Sequence, residues 1–208
     1  MSAPLLRAEA ISFSYGARHV FTMWSADVHP GLTWLRGANG SGKSTLLKLL
    51  AGALDPYTGR RVAGGIDAAA DGMGYRRQVF WCGPGAPAFD HLRAPEFFAF
   101  MAALYPRFSD AALAEAVQGL QLTPFLAVRI SQLSSGNQRK VWLAAALAAG
   151  TPVVLLDEPL NALDAASLAW LRGRLRQHAE AAEQAWLVAS HEPPVPEGPQ
   201  QCLDLPLP

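Results

Sequence analysis

Residues 37–45 decide the fold, and they read Gly37-Ala38-Asn39-Gly40-Ser41-Gly42-Lys43-Ser44-Thr45. A glycine, four residues and then glycine, lysine and serine form a loop whose glycines turn successive N–H groups inward. The helix that follows adds its N-terminal dipole, so the loop forms a nest for an anion. We expect Lys43 to reach the β- and γ-phosphates of a nucleotide and the Ser44 hydroxyl to bind Mg²⁺. The sequence therefore predicts a phosphate-binding loop for a nucleoside triphosphate.

The segments on either side of this loop have the periodicity that it requires. Gly31–Arg36 predicts a strand that enters the loop, and residues 43–53 carry leucines at helical spacing after it. Residues 153–156 and Ala185–Ala189 are continuous apolar runs typical of buried parallel strands, and residues 163–183 predict a long helix between them. Strands that alternate with helices indicate an α/β fold with a mainly parallel sheet.

Other segments indicate antiparallel strands near the N-terminus. Residues 5–28 alternate between apolar and polar side chains, and a turn signal at Tyr15-Gly16 interrupts them. Residues 55–74 are rich in glycine and alanine, which is typical of turns and edge strands. A short apolar strand is predicted at residues 78–82. We therefore expect an N-terminal antiparallel β part in a P-loop NTPase fold.

An α-helical lobe is predicted between the two halves of the parallel sheet. A Gly- and Pro-rich loop at residues 83–87 precedes a helix over residues 95–105 that is dense in phenylalanine. A second helix is predicted over residues 111–120, with Ser109 or Asp110 as its N-cap. We place this inserted lobe at about residues 86–149 of one domain that covers residues 1–208.

Composition and charge exclude several classes of protein. The 17 basic residues balance the 17 acidic ones, and because nucleic-acid binding rests on a basic face, no nucleic-acid partner is expected. Half of the residues are hydrophobic, which excludes a disordered chain. The longest apolar run, residues 141–156, is interrupted at Gly150 and Pro152, so neither piece could span a bilayer. The N-terminal residues lack the pattern of a secretory signal, and we expect a cytoplasmic chain that reaches a membrane only through a partner.

Two carboxylates follow the predicted strand at residues 153–156. Because the carboxyl end of a central parallel strand lies beside the phosphate loop, Asp157 is expected to hold Mg²⁺ through water. Glu158 is expected to act as the base, or as the group that orients an attacking water. The alternative is that these two acidic residues only mark the end of a strand and have no role in catalysis. Together with the phosphate loop, this pair fits kinases, GTPases and many ATPases.

Residues 133–140, with the sequence LSSGNQRK, separate these classes. A serine and free N–H groups at the start of an alanine-rich helix predict a second anion site, although an ordinary serine N-cap is the alternative. The chain here resembles the ATP-binding subunits of ABC transporters, which have a Leu-Ser-Gly-Gly-Gln signature shortly before the strand that carries the two carboxylates. The matching positions are Leu133, Ser134 and Gly136, while Ser135 replaces a glycine and Asn137 replaces the glutamine.

The resemblance implies roles for further residues. Ser134 and Gly136 would meet ATP that is bound to a second ATPase subunit, in a homodimer or with a paired subunit. Residues 160–164 resemble the loop that crosses this dimer interface. His191 resembles a histidine that contacts the γ-phosphate, and Tyr15 resembles an aromatic residue that stacks on adenine, with an ordinary strand aromatic as the alternative. The loop residues that would contact ATP are Gly37, Asn39, Gly40, Ser41, Gly42, Lys43, Ser44 and Thr45.

The chain departs from the family pattern at one position. The family has a glutamine at the end of the strand that here ends near Cys82, where it helps to coordinate Mg²⁺ and links the nucleotide to the membrane subunit. Residues 81–95 contain no glutamine; Gln78 lies too early, and Gly83 takes the equivalent position. We therefore assign the link between the nucleotide and the membrane subunit to no side chain. The alternative is that backbone groups and water make this link. Hydrolysis is still expected, because the lysine, glutamate and histidine assigned to it are all present.

The resemblance implies a subunit that hydrolyses ATP with Mg²⁺ and powers a separate membrane subunit. The short chain is similar to compact ABC-2 type, haem-exporter-like ATPases, so we expect an exporter at the inner face of the cell membrane. A helix of the membrane subunit would enter a groove in the aromatic lobe. The alternative is an ABC ATPase that switches a partner membrane or cell-envelope complex without transport. A nucleotide kinase does not account for residues 133–136.

Overall fold

A computed structural model of the chain describes residues 3–83 and 89–205. These residues form two sheets, six α-helices and two short 3₁₀ turns at Thr123–Phe125 and Ile130–Gln132. The strands are β1 (Leu6–Tyr15), β2 (Arg18–Val28), β3 (Gly31–Arg36), β4 (Thr58–Ala63), β5 (Ile66–Asp67), β6 (Val79–Cys82), β7 (Val153–Asp157), β8 (Ala185–Ala189) and β9 (Gln201–Asp204). The helices are α1 (Lys43–Leu50), α2 (Gly72–Gln78), α3 (Ala94–Leu104), α4 (Asp110–Gly119), α5 (Ser135–Ala148) and α6 (Ala165–Ala181).

The five-stranded sheet is parallel and has the order β6-β7-β8-β3-β9. All residues of β7 and β8 are buried, as their continuous apolar sequences predict for strands covered on both faces. Successive side chains point to opposite faces, so that Val154 and Leu156 pack in one core and Val153 and Leu155 in the other. The predicted α/β class with a mainly parallel sheet is confirmed.

Each face of the parallel sheet is covered by a different layer. On one face lie α1, through four buried leucines, and the antiparallel sheet of order β2-β1-β4-β5. On the other face lie α5 and the helices that pack around it. The antiparallel strands predicted within residues 5–28 are confirmed, with Tyr15 paired to Arg18 across the turn.

The lobe contains α3, α4 and the two 3₁₀ turns, packed against α5. Phe97 is fully buried, and its ring meets Trp142 of α5 edge-on, with 4.7 Å between the centroids. Ser109 caps α4 by accepting a hydrogen bond from Ala112 N at 3.2 Å. Both predicted helices are therefore present within one residue of their expected ends. Residues 84–87 of the predicted loop and 86–88 of the predicted lobe lie outside the described residues, and the lobe boundaries remain a prediction.

The prediction of turns and edge strands up to residue 74 was wrong at α2. Glycines at positions 72 and 74 concealed a helix that Asp71 starts, since its carboxylate accepts a hydrogen bond from Gly74 N at 2.8 Å. Tyr75 fixes the helix to the core by donating its hydroxyl to Leu50 O at 2.6 Å. Gln78 therefore ends a helix, and the following strand begins at Val79.

Two predicted helices were too long. The helix α1 stops at Leu50 because Gly52 takes a φ of 72°, where a helix cannot continue. The helix α6 begins after Asp164, whose carboxylate accepts from Ser167 N at 2.9 Å, and it ends where Ala182 takes a φ of 49°. Within residues 3–83 and 89–205, no helix has both the length and the apolar character needed to cross a membrane.

A partly buried histidine makes the fold sensitive to acid. His178 of α6 stacks on Trp186 of β8, with ring centroids 4.3 Å apart. Burial, assisted by the charge of Arg174, lowers the pKa of His178 to about 4. Because the unfolded chain takes up this proton near pH 6.5, the stabilising effect of the neutral ring is complete above that pH. It is lost as the pH falls from about 6.5 to about 4.

We expect His178→Phe to remove this part of the acid sensitivity. Between pH 7 and pH 4 the wild-type free energy of unfolding should fall by on the order of 2 kcal/mol more than that of the variant. Urea unfolding at several pH values measures the difference. His91→Gln, at an exposed position, serves as the control and should follow the wild type. Equal slopes for His178→Phe and the wild type would contradict the expectation.

Candidate nucleotide-binding site

A cavity of about 390 Å³ lies at the carboxyl ends of the parallel strands, beside the loop between β3 and α1. This is the edge at which open α/β sheets bind their ligands. The cavity brings together most of the residues that were predicted from the sequence to bind one nucleotide. The lining residues are Tyr15, Arg18, Val20, Ala38, Asn39, Gly40, Gly42, Lys43, Ser44, Thr45, Asp157, Glu158 and His191.

The phosphate loop is folded around its own lysine. The Lys43 ammonium is buried and donates hydrogen bonds to Gly37 O at 2.7 Å and Ala38 O at 3.2 Å. Gly42 takes a φ of 96°, and a Cβ at that position would lie 3.0 Å from Val20 Cγ1, so a glycine is needed there. A phosphate oxygen is a stronger partner for an ammonium than a neutral carbonyl, so this arrangement is suited to an anion.

Two predicted loop residues do not line the cavity. Gly37 contributes the carbonyl that accepts from Lys43. Ser41 lies in the interior of the loop, and its buried hydroxyl oxygen has no hydrogen-bond partner in the part of the chain that the structure describes. Both residues therefore support the conformation of the loop without lining the cavity.

Asp157 is the last residue of β7, and its side chain is 1% exposed. One carboxylate oxygen, Oδ2, is buried without a hydrogen-bond partner among residues 3–83 and 89–205. A buried carboxylate oxygen is costly unless something pairs with it, and Mg²⁺ takes carboxylate, hydroxyl and phosphate oxygens as ligands. Because Ser44 lines the same cavity, the residues present fit a magnesium ion.

Glu158 directly follows β7 and adopts an unusual backbone conformation. Its φ is 49°, in the left-handed region that residues with side chains rarely adopt, and its N–H donates to Ala189 O at 2.8 Å. The two carboxylate oxygens have different neighbours: Oε1 lies 3.4 Å from His191 Nε2, and Oε2 accepts from Asn161 Nδ2 at 3.3 Å. The carboxylate is therefore held between an imidazole and an amide at the wall of the cavity.

The segment that carries His191 is fixed by hydrogen bonds on both sides. Trp34 of β3 donates its indole N–H to Ser190 O at 3.0 Å, and the Ser190 hydroxyl donates to Glu192 O at 2.6 Å. The imidazole itself remains half-exposed, so a ligand in the cavity can reach it. No local sequence pattern indicates the role of Trp34, because 156 residues separate it from the carbonyl to which it donates.

Tyr15 forms the outer wall of the cavity at the end of β1. Its half-exposed ring meets Phe13 edge-on with 4.9 Å between centroids, and Phe13 in turn stacks on Tyr57 at 5.9 Å. A ring supported from behind and free at the front is suited to stacking on a base. Arg18, opposite Tyr15 across the hairpin, also lines the cavity and was not predicted; the pairing of the two strands around the turn is the signal that would have found it.

The structure does not bring Ser134 and Gly136 to this cavity. Ser134 is exposed and caps α5, accepting a hydrogen bond from Asn137 N at 3.2 Å. Gly136 lies against the chain's own segment after β7, since a Cβ there would lie 2.4 Å from Ala162 O. Both residues therefore lie outside the cavity, Ser134 exposed and Gly136 packed against the segment after β7.

The region of the missing glutamine is only partly described. Gly83 follows β6, and the next described residue is Phe89. Gln78 ends α2 and does not line the cavity; its amide nitrogen lies 3.5 Å from Gly74 O. Gln78 is therefore not placed to take over the linking role.

Comparisons with known proteins agree on one family. Residues 22–161 match the family model described as ABC transporter. The chain is 36% identical over 157 residues to the cytochrome c biogenesis ATP-binding export protein CcmA of Pseudomonas putida, covering 76% of this chain and 75% of that protein. It is 38% identical over 173 residues to the sulfate/thiosulfate import ATP-binding protein CysA of Thermosynechococcus vestitus, covering 81% and 51%.

Solved structures show the same likeness. The ATP-binding subunit of an ABC transporter superposes with a TM-score of 0.80 at 25% identity, over 90% of this chain and 79% of that one. A bacterial Atm1-family ABC exporter with ATP bound superposes with a TM-score of 0.76 at 22% identity, over 92% and 35%. At that lower identity the likeness is one of fold.

Proposed function

The chain belongs to the ABC transporter family, and from that premise we propose how its residues bind and hydrolyse ATP. It is an ATP-binding subunit whose ATPase activity powers a membrane transporter. What supports the residue assignments is the convergence of Lys43, Asp157, Glu158 and His191 on one cavity of about 390 Å³.

In the proposed complex, the phosphate loop holds the triphosphate and Tyr15 stacks on the adenine. Lys43 exchanges its two carbonyl partners for β- and γ-phosphate oxygens. The remaining loop contacts come from Asn39, Gly40, Gly42, Ser44 and Thr45, which line the same cavity, while Gly37 and Ser41 shape the loop.

We assign the magnesium site to the Ser44 hydroxyl and the Asp157 carboxylate. The unpartnered Asp157 Oδ2 supports this assignment, because an ion would satisfy it directly or through water. A bound Mg²⁺ would neutralise charge on the β- and γ-phosphate oxygens.

In the hydrolysis step, Glu158 orients a water molecule and accepts its proton as the water oxygen attacks the γ-phosphorus. The bond between that phosphorus and the β–γ bridging oxygen breaks, so ADP and inorganic phosphate leave. His191 lies 3.4 Å from the Glu158 carboxylate and can donate a hydrogen bond to a γ-phosphate oxygen. Lys43 stabilises the same charge from the loop.

Asp157→Asn tests the metal assignment. We expect the variant to need about tenfold more Mg²⁺ for half-maximal hydrolysis, because an amide is a far weaker ligand than a carboxylate. Titration calorimetry should show that Mg²⁺ strengthens ATP binding less in the variant than in the wild type, while binding in EDTA is not weakened. Asp204→Asn, which loses only an exposed pair with Arg36, is the control. The same Mg²⁺ dependence in Asp157→Asn and the wild type would disprove the assignment.

We propose that two ATP-binding subunits, identical or paired, close around ATP. Ser134 and Gly136 lie outside their own cavity, and Ser134 is exposed at the N-terminus of a helix. A helix N-terminus whose capping hydroxyl can still donate a hydrogen bond favours an anion, so this surface can complete the phosphate site of a second subunit.

We further propose that the membrane subunit docks on the lobe. An apolar groove of about 380 Å³ lies between α3 and α4, with Asp110 as the charged residue among its described lining. Its walls include Phe98, Phe108 and Leu113, a composition that suits an amphipathic helix. Docking there would hold the chain on the inner face of the cell membrane.

Export of a haem-like cargo is the finer proposal. The export protein CcmA aligns with this chain over similar shares of both proteins, whereas the chain spans about half of the import protein CysA. Both names describe transport, which favours a transporter over the alternative of a non-transport switch.

A further inference from the structure

We propose that Arg139 is a positioning residue that holds the backbone of Glu158 in place. The inference rests on the proposed role of Glu158 in hydrolysis. Arg139 lies in the second turn of α5, the helix that begins next to Ser134. It does not line the nucleotide cavity and therefore acts on Glu158 through the backbone.

One guanidinium nitrogen binds two consecutive carbonyls. Arg139 Nη1 donates to Asp157 O at 2.9 Å and to Glu158 O at 2.8 Å. The side chain is partly buried, so water competes weakly for these hydrogen bonds. Hydrogen bonds from a charged donor are stronger than those between neutral groups. The end of β7 is thereby tied to α5 across 18 and 19 residues of sequence.

The backbone at this point needs such support. Glu158 has a φ of 49°, which is costly for a residue with a Cβ and persists only where the surroundings enforce it. The hydrogen bond from Glu158 N to Ala189 O enforces it from the sheet side. Arg139 enforces it from the helix side by holding the carbonyls on both sides of the Glu158 Cα.

The position of the carboxylate follows from this backbone. If the left-handed residue relaxed to an extended conformation, the side chain would leave its place between His191 and Asn161. The phosphate loop would be unaffected, because its own contacts are made through Lys43. Loss of Arg139 should therefore impair the chemical step and leave ATP binding nearly intact.

The same helix also holds the far end of the segment after β7. Lys140 is buried and its Nζ lies 2.5 Å from Asp164 Oδ2, at the start of α6. Gly136 lies against Ala162 O between these two points. The first turns of α5 therefore hold residues 157–164 along their length, which links the surface at Ser134 to the Glu158 carboxylate within one subunit.

Steady-state kinetics of the full chain test the role of Arg139. We expect Arg139→Leu to lower kcat at least about tenfold while the Kd for ATP changes less than about threefold, since a misplaced catalytic group costs rate and not binding. Arg139→Lys should have an intermediate kcat, because an ammonium keeps the charge and can donate to both carbonyls, but the lysine side chain is one bond shorter than that of arginine. This second variant keeps the test available if Arg139→Leu does not fold.

The matched control is Arg61→Leu. Arg61 is buried, donates from one nitrogen to two carbonyls, Leu49 O at 2.6 Å and Leu54 O at 2.9 Å, and pairs with Asp55, but none of these hydrogen bonds goes to β7. Its loss should lower stability and leave kcat per folded molecule near the wild-type value. A kcat in Arg139→Leu and Arg139→Lys equal to that of the wild type would overturn the inference, as would a loss of ATP affinity as large as the loss of kcat.

Glu158→Gln separates this inference from its premise. If Glu158→Gln turns over at the wild-type rate, the assignment of Glu158 itself fails. If Glu158→Gln is inactive and Arg139→Leu is fully active, only the role of Arg139 fails. In the double variant, the residual rate of Glu158→Gln should not fall further, because both changes remove the same contribution. A further fall as large as the single effect would also overturn the inference.

Discussion

Replacing Glu158 by glutamine will stop ATP turnover while ATP remains bound. Glutamine has the shape of glutamate and can keep the contacts with His191 and Asn161, but its amide cannot accept the proton of an attacking water. We expect turnover to fall by about 10²- to 10⁴-fold, the range that general-base catalysis contributes. Because the phosphate loop is untouched, the Kd for ATP should stay within about threefold of the wild-type value.

The same variant should accumulate as an ATP-bound dimer, since the step that reopens the dimer is lost. Phosphate release measures turnover, and light scattering coupled to size exclusion measures the dimer with and without ATP. Glu192→Gln is the control, because Glu192 directly follows His191 and pairs with Arg172 at the surface. Wild-type turnover in Glu158→Gln would show that another group activates the water.

The fold was predictable wherever a local pattern carries the information. The phosphate loop, β3 and α1 form one continuous sequence motif, and the buried strands β7 and β8 are apolar except for Asp157 at the end of β7. Their order in a parallel sheet then places the residues after β7 beside the loop. For this reason the sequence indicated Asp157, Glu158 and His191 as neighbours of Lys43, although long stretches of chain separate them.

Features that depend on distant contacts were not predictable. Arg139 binds carbonyls 18 and 19 residues away, and Trp34 binds one 156 residues away, so neither has a local signature. The helix α2 was missed for a different reason: its two glycines have low helix propensity, and burial of Tyr75 overrides them. The left-handed conformation of Glu158 is likewise set by its hydrogen-bond partners and not by its residue type.

The structure also determines which residue can test the dimer. Gly136 matches the family signature, but a Cβ there would lie 2.4 Å from Ala162 O of the same chain. A substitution such as Gly136→Asp would displace residues 157–164 and so disturb Glu158 directly. Ser134 is exposed and its side chain makes a capping hydrogen bond, so this side chain can be changed without that effect.

Ser134→Asp should abolish ATP-dependent dimerisation and lower turnover at least about 100-fold. Aspartate caps a helix as well as serine does, so the hydrogen bond from Asn137 N and the stability of α5 should be retained. Its carboxylate, however, would face the γ-phosphate of ATP on the second subunit, where like charges repel strongly in a closed interface. ATP binding to the isolated subunit should remain within about threefold of the wild type, because Ser134 lies outside its own cavity.

The Glu158→Gln background gives this prediction its clearest readout, since ATP alone should then hold the dimer together. Adding Ser134→Asp should return the protein to a monomer, whereas Ser134→Asn, a neutral cap of similar size, should leave most of the dimer. The difference in dimer fraction between these two variants measures the effect of the added charge, because both residues cap the helix. A stable dimer in the Ser134→Asp, Glu158→Gln protein would place Ser134 away from the phosphate. A loss of ATP affinity in the Ser134→Asp monomer would instead assign Ser134 a role within its own subunit.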